Sequence, residues 1–215
     1  LSQSALLKFR VPNTYSLVFV NGYLNHDLSD LQEISSYITS TNFNTSDWNE
    51  HFSCLNQALS ETLFKIHLPS NVKPDKPLHA LFIQTTSTAI FPRIKIELSS
   101  NSHLEIIEDY LSFDEESVGV CMPYSEIHLA QGSQLFHYYI QRANAKSYHF
   151  YSQKVYQSRD SHYQSFSLLT GGKISRFENH LRLLGTNANC QLSGVYLPSQ
   201  GQQHNVHLLI DHQAS

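Results

Sequence analysis

The sequence has few charged side chains and no cluster of basic ones. Only 15% of its 215 residues are charged, whereas about 25% is usual in a soluble domain. There are 14 Lys and Arg residues against 18 Asp and Glu residues, which gives a formal net charge of -4. Nucleic acids and anionic membranes attract concentrated positive charge, so we expect neither among the partners.

Long apolar runs and paired cysteines are also missing. No stretch approaches the roughly 18 consecutive apolar residues of a membrane span, and Leu1–Arg10 lacks the residue order of a secretory signal. The three cysteines, at positions 54, 121 and 190, are widely spaced and odd in number, which is typical of free thiols in a reducing compartment. The sequence therefore predicts a cytoplasmic protein that buries a core without cross-links.

The first third of the chain mixes helical and extended patterns. Apolar residues on both sides of Asn21-Gly22 predict a hairpin near residues 15–25. Residues 28–39 fit either a helix or an extended segment. A capping residue, Ser46 or Asp47, predicts a helix over residues 47–60. The apolar stripe expected to bury this helix against its own domain consists of Trp48, Phe52, Leu55 and Leu59.

The remainder of the chain has the alternating pattern of β-strands, as in Arg93–Leu98. The predicted strands are 78–84, 92–98, 103–110, 124–130, 134–140, 147–156, 161–169, 173–183, 189–197 and 205–211. Short strands separated by frequent turns are typical of a β-sandwich, a β-barrel or a β-helix. We divide the chain into an N-terminal segment with a hairpin and one helix, residues 1–70, and a β core, residues 71–215.

Two stretches of the β core repeat one pattern. Asn101–Glu108 and Gln131–Tyr138 each contain a polar corner followed by an alternating strand. A stacked coil requires such a recurring unit, because each rung buries its inward side chains only against neighbouring rungs. Sandwiches built from hairpins have turns at a similar spacing, so the residues alone leave the β-helix and the sandwich equally favoured.

Histidine is the one abundant ligand type, with thirteen residues. Nine are scattered singly and are expected to be surface or corner residues: 26, 51, 67, 79, 103, 128, 137, 149 and 162. The C-terminal part concentrates His180, Cys190, His204, His207, Asp211 and His212 within 33 residues. The low-ranking candidates for a metal site are His204, His207, His212 and Cys190, with His212 the best single one.

The spacing of these candidates argues against a closed metal site. On one strand His204 and His207 project to opposite faces, because their positions differ by three, an odd number. Cys121 and Cys190 lie in apolar β patterns and are expected to be buried, inert thiols. We therefore predict that this chain holds no metal and no firmly bound cofactor.

Enzyme motifs are missing as well. The step Gly171-Gly172-Lys173 lacks the remaining residues of a nucleotide-binding loop. The acidic run Asp114-Glu115-Glu116 lies between two predicted strands, where a solvated turn is the usual structure. No nucleophile elbow or zinc-protease motif is present. The sequence predicts no catalytic residue.

Several short segments in the second half of the sequence resemble the SufB/SufD family of iron–sulfur cluster assembly scaffolds. They are Arg176–Leu181, Leu184-Gly185, Cys190–Leu197, Gly201–His207 and Asp211-His212. Three further segments occur in the order found in the SufD branch: Phe19–Gly22, Leu55–Leu59 and Lys76–Leu78. Asn205 stands where an aspartate is common in the family, which weakens any carboxylate role at that position.

The resemblance implies a right-handed parallel β-helix with a small N-terminal α/β segment, and it favours an extended structure for residues 33–39. It implies a non-catalytic scaffold in a cytoplasmic SufBCD-like complex, paired with a SufB-like paralogue and a SufC-like ATPase, or a homodimer when isolated. The nascent iron–sulfur cluster belongs to the complex. Because the family's C-terminal residues at the partner seam follow the position of Ser215, we expect this sequence to be a fragment.

Two other classes of function remain open from the residues. One is a carbohydrate-active β-helix enzyme, which needs carboxylates or basic residues clustered on one exposed face. The other is a β protein with a metal held by His204, His207 and His212. Metal analysis and co-purification with partners distinguish both from the scaffold.

Overall fold

The computed structural model describes residues 6–41 and 51–214. In these residues the β-strands form two sheets, and the chain alternates between them. The strands are β1 (Tyr15–Val20), β2 (Tyr23–Leu24), β3 (Ile38–Thr41), β4 (Leu63–Leu68), β5 (Leu78–Gln84), β6 (Ala89–Ile90), β7 (Arg93–Leu98), β8 (His103–Ser112), β9 (Val120–Cys121), β10 (Tyr124–Leu129), β11 (Gln134–Arg142), β12 (Tyr148–Gln157), β13 (His162–Leu169), β14 (Ile174–Leu183), β15 (Asn189–Tyr196) and β16 (Gln203–His212). The helices are α1 (Leu31–Ile34) and α2 (His51–Leu59), with 3₁₀ turns at Leu7–Phe9 and Ser35–Tyr37.

The two sheets are the walls of a parallel β-helix. Sheet A has the order β15-β13-β11-β8-β5-β1-β2, and sheet B has the order β16-β14-β12-β10-β7-β4-β3, with β6 and β9 at its side. Strands that neighbour each other from β5 to β16 are parallel and about one coil apart in sequence. The chain completes about five turns. Parallel neighbours exclude the hairpin-built sandwich and confirm the β-helix.

The interior is filled by stacked columns of side chains. One residue from each of four successive rungs of sheet A forms such a column, Leu104, Leu135, Tyr163 and Cys190. Aromatic rings stack in the same way: Phe82 lies 4.4 Å from Phe19 and 4.5 Å from Tyr110, measured between ring centroids. Burying each large apolar side chain contributes about 1.5–3 kcal/mol, and offset stacking adds to it.

The corners of the coil are stacked too. The residues with positive φ at one corner are Asn71, Asn101, Gly132, Asp160 and Asn187, at intervals of 27 to 31 residues. The backbone N–H of Asn101 donates to the Gln131 carbonyl at 3.0 Å, and that of Gly132 donates to the Arg159 carbonyl at 3.1 Å. Asn, Asp and Gly are the residues that adopt this left-handed conformation most readily. The repeat between Asn101 and Gly132 thus marks corresponding corners of adjacent rungs.

The predicted strands agree closely with the observed ones. The first and last residues of all ten predicted strands lie within two residues of their observed positions. The hairpin is confirmed: β1 and β2 pair antiparallel around Asn21-Gly22. The extended structure expected for residues 33–39 is wrong in its first part. Residues 31–37 are helical and only Ile38–Thr41 is a strand, which pairs antiparallel with β4.

Helix α2 is buried through a different face from the one expected. Leu55 and Leu59 are exposed, whereas Asn56 is buried. The Asn56 amide donates to the carbonyls of Pro92 and Met122 at 3.0 and 2.7 Å, and its oxygen accepts from Arg93 at 3.1 Å. The helix therefore packs on sheet B through these polar contacts and through Phe52 of the predicted stripe, whose ring stacks on Phe150 with the centroids 5.1 Å apart. The predicted cap at Ser46 or Asp47, and Trp48, lie outside the described residues.

Strands β1 and β4 pair with β5 and β7, so both sheets continue across residues 70 and 71. In the part of the chain that is described, no helix combines the length and the apolar character needed to cross a bilayer.

Candidate functional site

Within the described residues, the β-helix ends with the rung of β15 and β16, which we call the open end. Strands β15 and β16 have a pairing partner on one side only, and each is the terminal strand of its sheet. The register places Val206 beside Phe177 and Ile210 beside Leu181, both of which are buried one rung earlier. The inward apolar side chains of this rung, Tyr196, Val206, Leu208 and Ile210, are therefore exposed, and Val195, Leu197 and Leu209 are exposed beside them. An open apolar end with two free strand edges is a surface on which a further β rung can pack.

The predicted metal candidates all lie on this rung, but the fold separates them. His204 aligns with Ser175 and His212 with Leu183, so both lie on the inward face. They are eight residues apart, or about 26 Å along an extended strand. His207 aligns with Glu178 on the outer face. His204 also donates from Nε2 to the Gly171 carbonyl at 3.0 Å.

Cys190 begins the inward column of β15 and is partly buried. Burial raises the pKa of the Cys190 thiol, and it raises the pKa of the fully buried Cys121 thiol further. Metal ions and clusters bind the thiolate, which a raised pKa disfavours at neutral pH. Among the described residues no three His, Cys, Asp or Glu side chains are grouped closely enough to hold an ion.

A second site, which the sequence analysis missed, lies inside the β-helix. Glu108 on β8 is fully buried and points into the lumen. Its carboxylate accepts hydrogen bonds from Tyr110 at 2.9 Å, Ser125 at 3.0 Å and Tyr151 at 3.3 Å. His137 Nε2 lies 3.3 Å from the same carboxylate. These side chains come from both sheets, so one buried charge joins opposite walls of the coil.

Two polar side chains contact Nδ1 of His137. Gln153 Nε2 lies 3.1 Å from His137 Nδ1, and an amide nitrogen can only donate. The Tyr163 hydroxyl lies 3.0 Å from the same nitrogen, and Nε2 faces Glu108. Tyr163 completes the arrangement by donating to Gln153 Oε1 at 3.1 Å. Glu108 and His137 thus each contact side chains of the opposite sheet.

The surrounding tyrosines stay protonated and act as donors. Burial, followed by the charge of Glu108, raises the pKa of Tyr110 well above its usual value. Burial does the same to Tyr139, whose hydroxyl lies 2.6 Å from His149 Nε2. Burial lowers the pKa of His149 to about 3, so His149 is neutral and accepts this hydrogen bond.

These positions correct the expectation for the scattered histidines. His79, His137 and His149 are fully buried, not surface or corner residues. One sequence signal was available: Leu104, Ile106, Glu108 and Tyr110 alternate along β8, so Glu108 shares the inward face with its apolar neighbours. By contrast, the acidic run Asp114–Glu116 is exposed, as predicted.

The geometry supports a structural use of these groups. The Glu108 cluster is buried within the coil, and the Glu108 carboxylate accepts hydrogen bonds from three hydroxyl groups of the chain. Satisfied polar networks in a low dielectric make a core rigid and specific. The described residues therefore form a stiff body that presents one apolar, open end.

Comparison with known proteins identifies the relatives of this body. The family model for the SUF system FeS cluster assembly SufBD core domain matches residues 81–215. The iron–sulfur cluster assembly SufBD family protein slr0076 of Synechocystis is 27% identical over 204 residues, which cover 82% of this chain and 45% of that protein. The chloroplastic protein ABCI7 of Arabidopsis thaliana is 23% identical over 176 residues, covering 77% of this chain and 37% of its own length. The chain thus spans less than half the length of either relative.

Proposed function

The chain belongs to the SufBD core family of iron–sulfur cluster assembly proteins, and we propose that it is a non-catalytic scaffold subunit that pairs with a SufB-like paralogue and a SufC-like ATPase. The observation that carries this proposal is the position of the family match. Residues 81–215 include the stacked rungs from β8 to the open end, together with the Glu108 cluster. The part of the chain that matches the family is thus the stacked coil itself.

The physical properties of the coil suit a scaffold. Its strands pair in continuous register from rung to rung, and its corners are joined by backbone hydrogen bonds. A body of this kind transmits a displacement at one end to the other without absorbing it, because packed interiors have low compressibility. We propose that motion driven by ATP hydrolysis in the SufC-like subunit passes through this body to the seam where the cluster forms.

We assign the chain to the SufD branch, and we treat the nascent iron–sulfur cluster as cargo of the complex rather than a cofactor of this subunit. The raised pKa values of the Cys121 and Cys190 thiols support the second point, that this subunit does not hold the cluster as its own cofactor. We also propose that the complex works in the cytoplasm, as the low number and wide spacing of the cysteines favour. Anaerobic reconstitution with iron and sulfide tests the cargo role: a stable cluster that is lost in Cys190→Ser would contradict it.

Co-purification tests the proposed complex. The whole protein that contains this chain is tagged and co-expressed with the SufB-like and SufC-like proteins of the same organism. We expect one complex on size-exclusion chromatography that contains all three subunits, and ATP hydrolysis that depends on the SufC-like subunit alone. Isolation of this protein without either partner would overturn the proposal.

A matched pair of variants makes the co-purification specific. Ile106→Asp places a charge in the buried column of β8 and should abolish both the fold and the complex. Glu115→Lys lies in the exposed turn after β8 and should leave both unchanged. Stoichiometric metal in the purified protein, with no partner bound, would instead favour the histidine-ligated alternative.

A further inference from the structure

Three tyrosine rings are packed together inside the β-helix. Tyr110 on β8, Tyr139 on β11 and Tyr151 on β12 are each no more than 2% exposed. The centroid of the Tyr139 ring lies 4.3 Å from that of Tyr151 and 5.6 Å from that of Tyr110. These separations are typical of aromatic rings in direct contact, across which an electron moves easily. We call these three residues the tyrosine cluster.

Tyr139 differs from the other two tyrosines in its hydrogen-bond partner. Its hydroxyl donates to Nε2 of His149, which lies 2.6 Å away on the opposite sheet and is almost entirely buried. A base within about 2.6–3.2 Å of a hydroxyl oxygen is close enough to take its proton. Tyr110 and Tyr151 donate instead to the Glu108 carboxylate, at 2.9 and 3.3 Å. Tyr139 is thus the member of the cluster that is paired with an imidazole.

Tyr139 also has a tyrosine neighbour at the surface. Tyr138 precedes it on β11 and lies on the outer face of sheet A, where it is 41% exposed. Consecutive residues of a strand lie on opposite faces, with Cα atoms about 3.8 Å apart. One strand therefore joins an exposed phenol to a buried phenol through a single peptide unit.

We propose that Tyr139 is a redox-active residue: it supplies one electron, by way of Tyr138, to an oxygen-centred radical in solution, and the resulting tyrosyl radical is held inside the coil. The oxidant removes a hydrogen atom from the Tyr138 hydroxyl and is itself reduced. The Tyr138 radical then takes one electron from Tyr139 and one proton from water, which restores its O–H bond. The O–H bond of Tyr139 breaks at the same time, and its proton forms an N–H bond at Nε2 of His149. This activity is distinct from the proposed assembly role and does not depend on it.

The proton moves only when Tyr139 is oxidised. Burial lowers the pKa of His149 to about 3 and raises the pKa of Tyr139 well above its usual value, so the proton stays on the phenol in the resting protein. Loss of an electron makes a phenol a far stronger acid than an imidazolium, which reverses the direction of transfer. The charge of Glu108, which acts on Tyr139, favours the imidazolium that forms.

The radical should stay on Tyr139. Oxidation of Tyr110 or Tyr151 would send the proton to Glu108 and cancel the charge that three hydroxyl groups share. Transfer to His149 only reverses one hydrogen bond, because the new N–H then donates to the tyrosyl oxygen. Burial also keeps dissolved reductants away from the ring. We therefore expect a radical on Tyr139 to outlast one on an exposed tyrosine.

Flash photolysis of the whole protein that contains this chain tests the proposal. Excited ruthenium tris-bipyridine is quenched by persulfate, and the oxidised dye then removes an electron from exposed tyrosines. Tyrosyl radicals are followed by their optical absorption and by electron paramagnetic resonance. We expect a short-lived signal from exposed tyrosines and a second signal, from Tyr139, that outlives it. A wild-type protein that gives only the short-lived signal would overturn the proposal.

Tyr139→Phe removes the hydroxyl and leaves a ring in the stack. We expect it to lose the long-lived signal and to keep the short-lived one. Tyr163→Phe is the matched control, because Tyr163 is equally buried but donates to Gln153 and not to His149. Circular dichroism verifies that both variants fold. A long-lived signal that persists in Tyr139→Phe would contradict the proposal, and so would its loss in a folded Tyr163→Phe.

Two further measurements test the path of the electron and the destination of the proton. In Tyr138→Phe the long-lived signal should form in lower yield and decay at the wild-type rate, because only the entry is changed. In heavy water the wild-type signal should form more slowly, because a proton moves to His149 as the electron leaves. An unchanged yield in Tyr138→Phe would refute the path through Tyr138, and the absence of an isotope effect would refute the transfer to His149.

Discussion

Glu108 Oε1 and His137 Nε2 lie 3.3 Å apart inside the β-helix, on neighbouring strands and out of contact with solvent. His137 in turn contacts Gln153 of sheet B through Nδ1, at 3.1 Å. Because Ser125 and Tyr151 reach the same carboxylate from sheet B, the pair links the two walls of the coil. Its removal should therefore affect the whole stack.

Replacement of Glu108 tests this link. In Glu108→Leu the donors on Tyr110, Ser125 and Tyr151 lose their shared acceptor, so we expect the free energy of unfolding to fall by about 3–5 kcal/mol. Urea denaturation followed by circular dichroism measures the loss. Glu105→Leu, on the outer face of the same strand, should change stability by less than about 1 kcal/mol. Equal effects of the two variants would contradict the proposed link.

Acid should weaken the contacts that Glu126 makes with Lys95 and His128 on the outer face of sheet B. Burial by itself would raise the pKa of Glu126, but a hydrogen bond from His128 and the charge of Lys95 outweigh it and lower the pKa to about 2. A lowered carboxylate pKa stabilises the folded state above the ordinary value near 4.5. That contribution, on the order of 2–3 kcal/mol, is lost as the pH falls from about 4.5 to about 2.

Glu126→Gln separates this carboxylate from the others. At pH 7 the variant should be less stable than the wild type, and at pH 2 the difference should largely disappear, because the wild-type carboxyl is then half protonated or more. Thermal unfolding at both pH values measures the two differences. A stability loss of the same size at both would show that Glu126 acts through packing.

Two glycines at rung corners should respond differently to alanine. A Cβ on Gly171 would lie 1.9 Å from the carbonyl oxygen of Ala143 in the adjacent rung, so the backbones must separate. We expect Gly171→Ala to cost at least about 2 kcal/mol. A Cβ on Gly201 meets nothing within 4 Å, and only its φ of +83° opposes substitution, at about 1 kcal/mol. Denaturant titration that gives the reverse order would refute the close rung contact.

Two neighbouring residues of one inward column test how far the side chains of the last rung are exposed. Leu181 is completely buried, and Ile210, its neighbour in the last rung, is 37% exposed. Leu181→Ala should lower the free energy of unfolding by about 2–5 kcal/mol. Ile210→Ala should cost about 1 kcal/mol or less in the isolated chain. If Ile210→Ala cost as much as Leu181→Ala, another surface would have to cover the last rung.

The β-strands were predictable because alternation is a local property. Arg93–Leu98 alternates along its own length, and its side chains need no distant information to choose a face. The corner repeat at Asn101 and Gly132 was also visible, since a left-handed turn requires Asn, Asp or Gly. The helical structure at Leu31–Tyr37 was not predictable, because short apolar spacings fit both structures equally well.

The buried network was missed for a different reason. A charge such as Glu108 is expected at the surface, because an isolated carboxylate is costly to bury. Its burial depends on donors at Ser125 and Tyr151, which belong to strands of the opposite sheet. No local pattern in β8 indicates that these donors lie close enough to bind the Glu108 carboxylate. Likewise, His79 fits a surface pattern until the fold brings it into contact with Asp109 and Val11.

The sequence by itself determined the strands, the hairpin, the corner residues and the resemblance to the SufB/SufD family, because each depends on residues close together in the chain. Only the tertiary structure decided which residues pair across a coil of some thirty positions. That pairing places Glu108 beside His137 and separates His204 from His212. Stacking joins residues by their position in the rung, and the rung exists only once the chain has folded.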